Sequence, residues 1–150
     1  MIIAAGPADQ VPELLDGIGV SLAYFGVGAL VLALGFVMLD LLTPGSLRHH
    51  VFVDHRPNAA ALFAASAISL AIIVVTVMTN ASDSLVSGLI DVAVYGLLGV
   101  IFQAVTLVIL ELLVPGRFRD LVSAPRFSTA ALAVAATFLA VAAVNAAAIA

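Results

Sequence analysis

The chain contains no cysteine. Disulfides and thiolate metal sites are thereby excluded, and the redox compartment leaves no trace in the sequence. Lysine is also absent, so all five cationic side chains are arginines. Charged residues make up only 9% of the 150 residues, hydrophobic ones 64%, and the mean hydropathy is +1.28. A soluble domain needs far more charge on its surface, so this is the composition of a membrane protein. No long basic tract exists, and nucleic acid is not an expected partner. The N-terminus lacks the positive segment of a cleavable signal and carries Asp9, Glu13 and Asp16 before the first apolar run. No nucleophile–base pair, metal-ligand cluster or phosphate-binding loop is visible, so neither an enzymatic activity nor a cofactor is expected.

What the chain does have is four windows without a charge: Gly17 to Leu39, Pro57 to Ser82, Val92 to Leu110 and Phe127 to Ala150, of 23, 26, 19 and 24 residues. A hydrocarbon core of roughly 30 Å needs about 20 apolar residues of helix. Lipid offers no partner for backbone polar groups, which favours helices, and the runs are too continuous for a membrane barrel. The expected fold is all-α, a bundle of four transmembrane helices near 17–42, 59–80, 88–113 and 128–149. An exposed tail is expected over 1–16, with at most a helical turn near Glu13–Leu15.

The arginines set the orientation. Arg48 and Arg56 lie between the first two spans, and Arg117, Arg119 and Arg126 between the last two. The N-terminal segment and the middle connection hold only acids: Asp9, Glu13, Asp16, Asp83 and Asp91. Positive loops stay in the cytoplasm. Loops 43–58 and 114–127 are therefore expected inside and both termini outside, in a bacterial inner membrane.

An internal repeat runs through the chain. At an offset of 71, Tyr24 pairs with Tyr95, Gly28 with Gly99, Asp40 with Glu111, Pro44 with Pro115, Gly45 with Gly116 and Arg48 with Arg119. After one deleted residue the offset is 70, and Arg56 pairs with Arg126. The unit is a two-helix hairpin, occupying 17–80 and then 81–150. An even number of spans per unit makes the repeats parallel, related by an axis along the membrane normal.

The repeated motif is "LDLLTPGSLR", Leu39 to Arg48, and "LELLVPGRFR", Leu110 to Arg119. Pro44 and Pro115 have no amide proton for the carbonyls of Asp40 and Glu111, so the first and third helices should end there. Gly45 and Gly116 can take the turn. Each acid then lies in the last turn of its helix, where unpaired carbonyls already carry negative charge. Two readings are open. Each acid pairs with its loop arginine, Arg48 or Arg119, and pins the hairpin. Alternatively, the two acids share a cation or proton site.

Other polar residues fit structural roles. Asn58 is placed to cap the second helix, and Ser128 or Thr129 the fourth. Gln103, mid-way along the third span, and Asn145 near the end of the fourth suit contacts between helices. His49, His50, Asp54 and His55 follow no metal-ligand spacing. Gly17, Ser21, Tyr24, Gly28 and Gly35 fall on one side of the first helix and allow close packing, and the last helix is alanine-rich throughout.

The duplicated unit, with acid, proline and then Asn-x-Ala opening the next helix, resembles the YjfL-type small bacterial membrane proteins of the domain-of-unknown-function 350 family. Asp40, Pro44, Asn58 and Ala60 carry the likeness in the first unit, and Glu111, Pro115 and Ala130 in the second. "TNASDSL", Thr79 to Leu85, and "VNAA", Val144 to Ala147, extend it. The family's Gly-Asn is Pro57–Asn58 here and Phe127–Ser128 in the second unit. The resemblance implies an inner-membrane protein and supplies no enzyme activity; such proteins are often encoded near spermidine-synthase-like or phage-shock-type proteins, which brings in polyamines and membrane stress. The expected function is a non-enzymatic membrane subunit that binds itself or another membrane protein. The alternative is an oligomeric channel or carrier for a small cation or polyamine, using Asp40 and Glu111.

The orientation is tested with single cysteines, since the chain has none of its own. With an impermeant thiol reagent applied to intact cells, Ser87→Cys should label and Ser46→Cys should not. Labelling of Ser46→Cys from outside reverses the orientation.

Overall fold

A computed structural model of the protein describes residues 7–43, 46–113 and 118–150, with the side chains of 7–10 and of Arg119 outside that description. Among the described residues the chain is wholly helical: α1 (Pro7–Leu42), α2 (Leu47–Phe52), α3 (Pro57–Thr79), α4 (Leu85–Leu113), α5 (Phe118–Ser123) and α6 (Thr129–Ile149). Four of these, α1, α3, α4 and α6, are long and apolar enough to cross a membrane. α1 ends at Leu42, two residues short of its proline, and α4 is described up to Leu113. Pro44, Gly45, Pro115 and Gly116 themselves lie outside the described residues, as does Arg117.

Two boundaries differ from the sequence expectation. Helix α1 already runs through 7–16, so the expected tail over 1–16 is helical in its described part. At 36 residues α1 is about 54 Å long, against about 31 Å for the 21 residues of α6. Residues 11–20 are all exposed. The second difference is in the connections. Each expected loop contains a short helix, and both helices turn apolar residues inward: Leu47 on α2, Phe118 and Val122 on α5.

Helix α3 lies at the centre and packs against every other helix. Its inward side is made of small and branched residues, among them Ala59, Ala65, Ser66, Ser69 and Ile73. The remaining long pairs are α1 with α4 and α4 with α6. Two apolar clusters form. One, at the end that carries the arginines, joins Leu39, Leu47, Leu62, Phe118, Val122 and Phe138. The other, towards the acidic end, joins Val31, Leu70, Ile73, Val77, Val92 and Val100. Ser66, Ser69 and Gln103 are buried at the level between them.

Lipid tails are as apolar as leucine, so helices in a bilayer are held by close packing and by interhelical hydrogen bonds. The glycines show where packing is closest. A Cβ on Gly96 of α4 would come within 2.8 Å of Val31 on α1, and one on Gly99 within 2.9 Å of Ile73 on α3. On α1, Gly28 meets Met78 and Gly35 meets Leu70, both on α3. Gly17, from the same stripe, has nothing within 4 Å. The α1 stripe is thus used from Tyr24 onward, where Tyr24 packs against Gly88 of α4.

Gly96→Ala should therefore destabilise the bundle by about 1–3 kcal/mol, because the stiff Val31 side chain cannot swing away. Gly26→Ala, where a Cβ meets open space, should cost nothing. Unfolding of both variants in a mild detergent with added denaturant checks the contrast.

Candidate functional site

The polar groups singled out by the sequence converge at the arginine end. Asp40 sits in the last turn of α1, where Thr43 N still donates to Leu39 O at 2.9 Å. The chain then reverses, and Ser46, with φ 60, precedes α2. This reversal brings Arg48 back onto Asp40. The Arg48 backbone N–H donates to Asp40 Oδ1 at 3.0 Å, and its Nε donates to Oδ2 at 3.2 Å. The carboxylate is 16% exposed and the guanidinium side chain 66%. One carboxylate therefore lies at the unfavourable C-terminal end of α1 and also takes an otherwise free amide in the first turn of α2.

The second acid, Glu111, is exposed on the last turn of α4. Its expected partner, the Arg119 side chain, lies outside the described residues, so the second pairing is not part of this geometry.

Three further residues fold the end of α2. His50 Nδ1 lies 3.0 Å from Asp54 Oδ2, and His49 Nε2 lies 3.6 Å from Asp54 Oδ1. The His50 hydrogen bond holds the Asp54 carboxyl below its ordinary value of 3.8, with the charges of His49, His50 and Arg56 assisting and desolvation opposing. Among the described residues, no three His, Asp or Glu side chains gather as metal ligands.

Asn58 corrects the sequence assignment most sharply. It is not the N-cap of α3: Arg56 holds that place, with extended backbone, and Pro57 follows as the first helical residue. Proline's fixed φ and missing amide suit that position, which makes Asn58 the second helical residue, two positions past the cap. There its side chain is fully buried and reaches across to the second half of the chain. Nδ2 donates to Leu121 O at 2.9 Å and Arg126 O at 3.1 Å, and Oδ1 accepts from Ser128 N at 2.9 Å. Ser128 in turn caps α6, its Oγ accepting from Ala131 N at 3.1 Å. Residues 58 and 128 are counterparts at the 70-residue offset. Only the first carries an amide, and that amide holds the backbone around the second.

Deeper in the bundle, Ser66 Oγ donates to Gln103 Oε1 at 2.8 Å and Gln103 Nε2 donates to Ser66 O at 3.1 Å. This closed pair ties α3 to α4, with both side chains buried. At the acidic end, Ser82 N and Oγ donate to Asp91 Oδ2 at 3.1 and 2.7 Å, fastening the α3–α4 connection onto α4. Sequence reasoning did not single out Ser66, Ser82 or the inward-facing Leu47, Phe118 and Val122. A signal for the last three existed: Leu47 and Phe118, and Val51 and Val122, are apolar at the same 71-residue offset as the motif.

The chain's relatives are consistent with this membrane architecture. The family model described as Domain of Unknown Function (DUF350) matches residues 13–149. A UPF0719 transmembrane protein of Mycolicibacterium paratuberculosis is 43% identical over 149 residues, covering 99% of this chain and 98% of its own. UPF0719 transmembrane proteins of Mycobacterium bovis and Mycobacterium tuberculosis are each 50% identical over 136 residues, covering 91% of this chain and 90% of their own. No solved structure matches the chain.

Replacing Asp40 by Asn keeps the shape but removes the charge. Because the guanidinium is largely in solvent and the asparagine oxygen can still accept from the Arg48 N–H, the loss should be modest, on the order of 1 kcal/mol. Denaturant unfolding in detergent measures it, and a shift several times larger would mean that the acid does more than hold α2.

Proposed function

The chain belongs to the DUF350 family of membrane proteins, and on that premise we propose that it is a non-enzymatic subunit of the bacterial plasma membrane that associates with itself or with another membrane protein. Its arginine-bearing end lies in the cytoplasm and both termini lie outside. The two hairpins are parallel repeats.

The observation that carries this reading is the Asp40–Arg48 contact. An acid that is to bind a transported cation needs its oxygens free to face a wet passage. Both oxygens of Asp40 are instead engaged by one residue of the same hairpin. The groove formed by Leu32, Phe36, Leu39, Phe63 and Ala67 is lined almost wholly by carbon. Carbon-lined grooves suit lipid or helix neighbours better than ions. Support also comes from extensive exposed apolar surface on α1, including Leu14 at 63%, Leu22 at 64% and Phe25 at 71%.

Flux measurements separate this from a carrier for small cations or polyamines. In proteoliposomes, wild type, Asp40→Asn and Glu111→Gln should all show the background leak of empty liposomes to monovalent cations, protons and spermidine. Flux in the wild type that is lost in a stably folded Asp40→Asn variant would make the acids a transport site.

A further inference from the structure

Two grooves towards the acidic end have corresponding wall residues on α3 and α6, while their walls on α1 and α4 differ. One, of about 630 Å³, lies between α1 and α3 and is walled by Ala71, Val74, Val75 and Met78 of α3. The other, of about 340 Å³, lies between α4 and α6 and is walled by Val141, Val144, Asn145 and Ala148 of α6. These four residues are the counterparts of the first four at the 70-residue offset. Only one exchange changes the chemistry: valine at 75 is asparagine at 145.

Asn145 is 7% exposed, and its Nδ2 has no hydrogen-bond partner. The nitrogen is buried within the packed end of α6, so the orphan donor is costly unless something entering the groove brings an acceptor. An acyl chain covers a carbon wall but offers none.

We infer that the α4–α6 groove is the contact surface for a second copy of this chain, parallel in the membrane, with α6 against α6 about a two-fold axis and the Asn145 amides bonded to each other. The inference rests on the self-association reading above. A primary amide is both donor and acceptor, so it is complementary to itself. A two-fold axis along the membrane normal places each residue opposite its own copy at the same depth, and asparagine pairs are a known device for fixing helix register. The exposed positions beside Asn145 are Ala140, Val144 and Ala148, small enough for close helix approach. Rotation about the soft terminal torsion of asparagine presents the amide to the groove.

The absence of native cysteine makes the test direct. Single cysteines are placed by Val144→Cys in the groove, Leu132→Cys on the other side of α6 and Phe25→Cys on α1, and membranes are oxidised. Disulfide-linked dimer should form from Val144→Cys and not from Leu132→Cys. Adding Asn145→Val, the residue found at the counterpart position, should weaken association roughly fivefold, the size of one interhelical hydrogen bond in lipid. It should leave the helical content of the monomer unchanged. Dimer from Leu132→Cys or Phe25→Cys but not Val144→Cys overturns this interface and leaves self-association standing. Dimer from Val144→Cys that is indifferent to Asn145→Val overturns the role of the amide. No cross-link at any of the three positions, with a monomer in lipid, removes both the interface and the self-association it rests on.

Discussion

The side-chain amide of Asn58 is the interaction on which the arrangement of the two hairpins depends at their arginine end. A bilayer supplies no hydrophobic drive to press helices together, so polar atoms placed between them have a large share in fixing which helix meets which. Asn58 uses both its donors and its acceptor on the backbone of one region, the α5–α6 connection. It thereby sets where α6 begins relative to α3. The Ser66–Gln103 pair does the same between α3 and α4 at mid-height, and Ser82 with Asp91 does so at the acidic end. Between these levels the contact is steric, with glycines on α1 and α4 allowing side chains such as Val31, Leu70 and Ile73 to seat.

The acid of the repeated motif presented a physical conflict, since a carboxylate at a helix C-terminus costs about 0.3–1 kcal/mol through the dipole. The exposed guanidinium of Arg48 offsets that only partly, at about 0.2–1 kcal/mol. A hydrogen bond to a charged group contributes about 1.5–3 kcal/mol, so the amide of Arg48 is the larger contribution. Asp40 is thus placed for the start of α2 more than for the end of α1. The short helix is what makes the motif intelligible: without α2 there would be no free amide at that distance.

The four membrane helices were legible because charge-free length alone decides them, and the end of α1 near Leu42 because proline removes a donor wherever it stands. The eight-residue spacing of Asp40 and Arg48 is the spacing over which they meet. That α1 extends back through 7–16 was not legible, since polar residues before an apolar run read equally as tail or helix. Asn58 was misread for a physical reason. Capping is a local rule, and the residue sits two positions from where it would cap, but its amide answers to carbonyls 63 and 68 residues away. Nothing in a single sequence announces such a contact. The short helices α2 and α5 escaped because six residues are too few for a periodic pattern, although their apolar positions follow the repeat. Gln103 could be read as an interhelical donor, whereas its partner Ser66 is one of several small residues on α3 and could not be picked out.

The claim that Asn58 holds the second hairpin onto the first is tested most directly by amide hydrogen exchange at Ser128 in Asn58→Ala protein. Loss of Oδ1 frees the Ser128 N–H, and loss of Nδ2 leaves two carbonyls without their donor. The account predicts that Ser128 loses its protection while the central turns of α3 and α6 keep theirs, and that global stability falls by about 2–4 kcal/mol, as for a buried polar network broken at one member. Unchanged protection at Ser128 together with wild-type stability would contradict it.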